Sequence, residues 1–155
     1  MLNKNLDIMS TLLQGLERKA QNDIRAFGGV GTIPSENFVS NDMRFPFLGI
    51  KDGPVTPENM ASNTDRTLDV TFFIFYEINA RSWLKSLFSM QNNVGLFELA
   101  GLVESTFVRS RISNSFSFLS VTGRGGSETL DILDRSGQIS RTVQRLSITM
   151  RFCED

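Results

Sequence analysis

Three short patterns in this chain carry residue types capable of chemistry. Ser82-Trp83-Leu84-Lys85 puts a hydroxyl and an amine one helical turn apart. At that spacing a lysine helps to activate a serine nucleophile in penicillin-recognising enzymes. The companion Ser-Asp-Asn and Lys-Thr-Gly elements are missing and the chain is short for that fold, so Ser82 reads as a helix cap. Glu128, Asp131 and Asp134 recur at intervals of three, and two of them brought together would make a glycosidase pair or a calcium site. Beside a turn they read as solvated acids. Gly28-Gly29-Val30-Gly31-Thr32 has the glycine density of a phosphate loop, but it lacks the lysine and follows a helix pattern where a strand is required. Gly123-Arg124-Gly125-Gly126 opens no helix, so it fails as a dinucleotide loop.

The residues that most often do chemistry are scarce. The 155-residue sequence contains no histidine, which removes the commonest general base and transition-metal ligand. Its one cysteine, Cys153, can form neither an internal disulfide nor a cysteine zinc site. Sixteen basic residues stand against seventeen acidic ones, for a net charge of −1. That balance excludes a strongly basic nucleic-acid coat and a highly acidic disordered tail. The expectation is a protein that is not an enzyme and carries no cofactor or metal. No stretch reads as a signal peptide or a membrane span, so a cytoplasmic origin and no membrane partner are expected.

What remains points to contact surfaces. Twelve of the sixteen basic residues are arginine. Arg141, Arg145 and Arg151 share one side of the last strand pattern, and Arg135 lies nearby. Arginine suits interfaces because its planar fork makes paired hydrogen bonds; a solvated strand face is the plain alternative. Thirteen phenylalanines accompany one tyrosine and one tryptophan. Most belong in a core, while Phe38, Phe45, Phe47 and Phe88 adjoin loops and can anchor a neighbour.

The elements that must position these groups follow from periodicity. Leu6, Met9, Leu13, Leu16, Ala20, Ile24 and Phe27 predict an amphipathic helix over 5–27, stopped by Gly28-Gly29. A loop over 28–42 leads to a strand over 43–50, which Pro46 places at an edge or a bulge. Lys51-Asp52-Gly53-Pro54 reads as a turn, and 54–65 as a polar loop. Residues 66–78 alternate, become apolar on both faces, and so predict a central strand. The region 81–111 is helical, with Ser82 capping a first segment and Asn93 a second that carries Leu96, Phe97, Ala100, Val103 and Phe107. Strands over 115–122, 128–134 and 139–152 complete the chain, with 123–127 a flexible connection and Ser136-Gly137 a turn. In the last strand Leu146, Ile148, Met150 and Phe152 oppose Arg145, Ser147, Thr149 and Arg151. The fold expected is α+β: a single domain over 1–155, a mainly antiparallel sheet packed against a long N-terminal helix and a central helical segment.

This order of elements resembles the tail terminator, or tail completion, proteins of long-tailed bacteriophages. The resemblance runs through Phe47-Leu48-Gly49-Ile50-Lys51-Asp52-Gly53, then Arg66 to Phe75, then a helical pair, and ends in Val143 to Phe152. It implies a virion protein of the neck, assembled in the host cytoplasm. Six copies would form a ring that caps the tail tube, ends its elongation and offers a head-joining surface. The partners implied are other copies of the chain, the tube protein, a neck connector protein and, in contractile tails, the sheath protein. DNA would only pass through the lumen. Another neck component, such as a connector, adaptor or stopper, is the nearest alternative, and a small-ligand-binding domain a more distant one. A closed ring needs a heterologous interface, and pairing of strands across subunits is one route to it. The Pro46 strand and the 139–152 strand are the candidate edges. Loops 28–42 and 54–65, the arginine side (Arg141, Arg145, Arg151), Phe45 and Phe47 are the candidate contacts. On this reading, charge reversal at Arg145 together with Arg151 blocks ring formation and leaves the circular dichroism unchanged.

Overall fold

The most regular strand of the sequence lies in the middle of the molecule. The computed structural model describes residues 4–57, 66–78, 95–112 and 115–154. In chain order these form α1 (Lys4–Asp23), β1 (Gly29–Thr32), β2 (Phe47–Pro57), β3 (Arg66–Ile78), α2 (Leu96–Phe107), β4 (Arg111–Ile112), β5 (Phe116–Arg124), β6 (Glu128–Leu133) and β7 (Ile139–Glu154). The strands make one sheet in the order β1-β2-β3-β7-β5-β4, with β6 also paired to β7. The architecture is α+β, with a mostly β sheet and a long N-terminal helix.

β3 and β7 pair antiparallel without a break from Thr67↔Cys153 to Ile78↔Thr142. A period of two then fixes both faces at once. Leu68, Val70, Phe72 and Ile74 join Leu146, Ile148, Met150 and Phe152 on one face, and α1 and α2 cover them. Met9, Leu12, Leu16 and Ala20 make the buried stripe of α1. Leu12, absent from the predicted stripe, is buried completely while Leu13 is half-buried. α1 also stops four residues before the predicted end. Asn22-Asp23 are weak helix formers, and Asp23 adds negative charge at the negative end of the dipole. α2 buries Leu96, Leu99, Val103 and Phe107. It begins after Gly95, which makes no side-chain cap; Asn93 and the Ser82 segment lie outside the described residues. On its outer side, Arg124 of β5 donates to both carboxylate oxygens of Glu104 at 2.6 and 3.2 Å.

β2 departs most from expectation. It starts at Phe47, after Pro46, and runs through the predicted turn to Pro57. Asp52-Gly53-Pro54 is a bulge in its ladder with β3, a local solution for a segment whose amides cannot all pair. Nor is β2 an edge, because the glycine-rich loop contributes β1, which pairs parallel to it from Gly29↔Phe47 to Thr32↔Ile50. Gly53 is required by the bulge: a Cβ there would sit 2.5 Å from the Asp69 carbonyl oxygen. Gly53→Ala is expected to cost about 1–3 kcal/mol of stability by forcing β2 from β3. Gly101→Ala is its control, since nothing lies within 4 Å of that position on α2. It is expected to gain about 0.5–1 kcal/mol. Urea unfolding of the two variants measures both signs.

The link between β5 and β6 is not a flexible connection. Both strands run antiparallel to β7, β5 along its second half and β6 along its first. They follow each other in one line, interrupted where the Gly125 N–H donates to the Ser147 carbonyl at 2.9 Å. A Cβ on Gly125 would come within 2.2 Å of the Ser147 hydroxyl, so the glycine permits this close approach. The predicted Ser136-Gly137 turn is present. The Asp134 carboxylate accepts from the Ser136 hydroxyl at 2.6 Å, the Ser136 N–H at 2.9 Å and the Gln138 N–H at 3.0 Å, while Gly137 takes a φ of +85°. The bond from the Ser136 hydroxyl, followed by that from the Gln138 amide, holds the Asp134 pKa below its ordinary value. The turn is therefore stabilised above the unfolded aspartate pKa, and that support is lost as pH falls through the lower folded value. An NMR titration should place the Asp134 midpoint below that of an aspartate in the unfolded chain; a higher midpoint would contradict the turn geometry.

Candidate interaction surface

The second face of the sheet holds the predicted contacts Arg141, Arg145, Arg151, Phe45 and Phe47, and it is divided in two. Over one half, residues 33–46 lie against the sheet as a strap. Ile33, Phe73, Phe75, Ile132 and Val143 are buried there, with Val39, Met43, Phe45 and Phe47 packed around them. Phe47 meets Phe75 at a ring separation of 6.3 Å. Phe45 and Phe47 are thus half-buried parts of a second core, and Phe45 adds a cationic partner: the Arg141 guanidinium sits 4.7 Å from its ring centre.

Two of the three arginines fasten this strap. Arg145 is only 6% exposed. One terminal nitrogen donates to the Glu36 carbonyl and the Asn37 side-chain oxygen, both at 2.6 Å, and the other donates to Glu128. Its guanidinium also lies 5.5 Å from the centre of the Phe73 ring. Arg141 donates through Nε to Glu77 at 2.7 Å and again through Nη2, and reaches the Asn41 carbonyl at 3.5 Å. The sequence places these side chains on one strand face. Their partners on the strap, Glu36, Asn37 and Asn41, stand 100 to 109 residues away in the chain, so no local spacing reveals them.

The strand carrying them is not an edge. β7 pairs with β3 from Thr142 to Cys153 on one side, and on the other with β6 from Ile139 to Arg145 and β5 from Ile148 to Glu154. Arg151 lies on the other half of this face, where Arg151 Nε and Nη2 grip both Asp69 carboxylate oxygens at 2.8 and 3.1 Å. Its side chain remains 42% exposed. Beside it, the Thr71 and Thr149 hydroxyls share a hydrogen bond of 3.0 Å, and Lys51 and Ser147 are half-buried. This is a polar, partly open strip next to an apolar, strapped one. Of the three predicted arginines, Arg151 has the most exposed side chain, 42% against 29% for Arg141 and 7% for Arg145. Phe38, at the outside of the strap, is 47% exposed, and Phe88 and loop residues 58–65 fall outside the described set.

The acids do not converge. Strand alternation puts Glu128 and Asp131 on opposite faces of β6. Glu128 serves Arg145, Asp131 accepts from Thr142 at 3.1 Å, and Asp134 is held in its turn. Among the described residues no group of three or more His, Cys, Asp or Glu side chains is placed to hold a metal ion. A polar cleft of about 480 Å³ lies between α1 and β4, lined by Thr11, Gln14, Arg18, Lys19 and Arg111; Lys19 is tied to Asp23 at 3.0 Å.

Several apolar side chains are exposed against or outside the sequence reading, which puts Phe97 on the apolar stripe of its helix. Phe97 and Leu102 stand out from α2, and Leu119 from β5. Leu133 and Ile139 face each other across the end of the β6–β7 hairpin, 55% and 60% exposed. Strand alternation flagged the buried set, and the hairpin end carries no periodic signal. No helix among the described residues is long and apolar enough to cross a membrane. No protein-family model matches the chain, and no curated protein is significantly similar to it.

Proposed function

We propose that this protein is a structural subunit of a bacteriophage neck, forming a ring that caps the tail tube, ends its elongation and offers a joining surface to the head. The observation that supports the reading is the order and placement of elements. A long N-terminal helix lies on a mostly antiparallel sheet, followed by a second helix and a long closing strand, the α+β plan that the resemblance to tail terminators implies. Other copies of the chain, the tube protein and a neck connector are the partners that follow, with DNA in the lumen only.

Electron microscopy of particles labelled with a gold-tagged antibody against the chain tests this. The expected result is a single label at the head–tail junction, and a label at one end of head-free tails. Label at the junction with none on head-free tails would replace the terminator by a connector or stopper. Label along the tail, or on no particle, would overturn the neck assignment.

A further inference from the structure

Among the described residues the sheet ends in three places, and they are not equivalent. β4 has two residues and lies beside α1. β1 and β6, at opposite sides of the sheet, each pair with one strand among the described residues. Proteins guard such edges with lysine, proline, bulges or shortness. β1 is short. β6 has neither lysine nor proline over Glu128–Leu133, and it ends at the exposed Leu133–Ile139 pair. A free edge of that kind accepts an extended strand through main-chain hydrogen bonds.

The strand directions say which strand fits. β1 is parallel to β2, β2 antiparallel to β3, β3 to β7 and β7 to β6. β1 therefore runs opposite to β6. A second copy set beside the first in the same orientation brings its β1 antiparallel to β6, with the helix-covered faces kept on one side. Charge agrees with this choice. Among the described residues Glu128, Asp131 and Asp134 outnumber the one exposed cation, Arg135, at the β6 side. Arg25 and Arg44 are exposed near β1, and the bond from the Gly28 N–H to the Pro46 carbonyl at 2.8 Å draws the Arg44 segment to the start of β1. Antiparallel pairing sets that start opposite the Asp134 end of β6.

We infer that β6 of one copy pairs antiparallel with β1 of the next, a head-to-tail contact that continues the sheet from subunit to subunit. Such a contact is heterologous and closes into a ring when its rotation allows. This rests on the ring reading above for its closure, and on the two edges for its chemistry.

Mixed cysteine chains test it in a Cys153→Ser background. One chain carries Thr129→Cys and the other Thr32→Cys, both exposed positions on the side of their strands away from the strap. Mild oxidation is expected to give the mixed Thr129–Thr32 product as the main crosslink. Adding Leu133→Lys to the edge should cut its yield about tenfold or more, with unchanged circular dichroism. Rings that form without the mixed crosslink would overturn the pairing and leave the ring reading standing. The mixed crosslink in open filaments would support the pairing and remove the ring. Thr129–Thr129 products alone, or a monomer with no crosslink at the highest soluble concentration, would overturn the pairing.

Discussion

Arg145→Glu is expected to destabilise the protein by about 3–5 kcal/mol, because it leaves a buried charge facing another of its own sign. The guanidinium of Arg145 is nearly inaccessible, and three acceptors satisfy it: the Glu36 carbonyl, the Asn37 side chain and Glu128. Glu128 itself is 66% exposed, so the ion pair with it is weak by itself. The energy lies in keeping a desolvated cation fully bonded. A glutamate at 145 would face Glu128 and two oxygens that cannot donate to it. The strap over 33–46 would detach, and Phe73 and Phe75 would meet water. Urea unfolding gives the loss. Hydrogen exchange at residues 36–40 should rise before the amides of β3 do. Arg145→Met, which keeps bulk and removes charge, is expected to lose about 1–2 kcal/mol. An Arg145→Glu protein with the unfolding midpoint of the parent would show that the strap does not depend on this residue.

That result also replaces the outcome drawn from the sequence. Reversal of Arg145 with Arg151 cannot act on assembly alone, because the first of the two holds the fold. Arg151→Glu by itself is the usable surface probe, since its side chain is 42% exposed against Asp69. A partly exposed pair of this kind contributes about 1 kcal/mol or less.

The difference between these two arginines shows where sequence reading stops. A period of two placed Arg145 and Arg151 on the same face correctly, since alternation is local. Whether that face is wet depends on a strap of irregular backbone arriving from residues 33–46. Two prolines and a run of polar residues in that stretch read as a surface loop, and its apolar side chains (Ile33, Val39, Met43) have no common period. The same blindness hid β1, four residues with two glycines that become a strand only because β2 offers a parallel partner. By contrast β3 and β7 were legible. Their apolar residues repeat over long runs, and tertiary packing agreed with the local pattern. α2 was legible in part: Leu96, Val103 and Phe107 are buried as read, but Leu99 takes the place given to Phe97, which is exposed. The helix stops at Phe107, so that Arg111 of the region read as helical to 111 lies in β4. The β5–β6 line was half legible: both strands could be read, but the glycines between them suggested a freedom that the Gly125–Ser147 contact removes. The candidate edges were misplaced for the same reason, because edge status depends on neighbours and the chain alone does not show them.

Phe72→Ala is expected to cost about 3–5 kcal/mol, a large fraction of the about 5–15 kcal/mol that holds an ordinary domain folded. Phe72 sits mid-way along β3, fully buried, and its ring stacks on Phe107 of α2 with centroids 4.8 Å apart and planes 21° from parallel. The pair is the point where sheet and second helix meet. Removing one ring loses its transfer energy and leaves a cavity that the rigid ladders on both sides of β3 prevent from closing. Phe107→Ala should fall in the same range, but α2 can shift toward the sheet more easily than β3 can move, so its loss should be the smaller. The double variant should cost less than the sum by about 0.5–1.5 kcal/mol, the coupling of a stacked aromatic pair. Urea unfolding of the four proteins completes the cycle. Full additivity would mean that α2 does not dock on Phe72. Phe72→Leu, which refills part of the space, keeps the comparison measurable if the alanine variant does not fold.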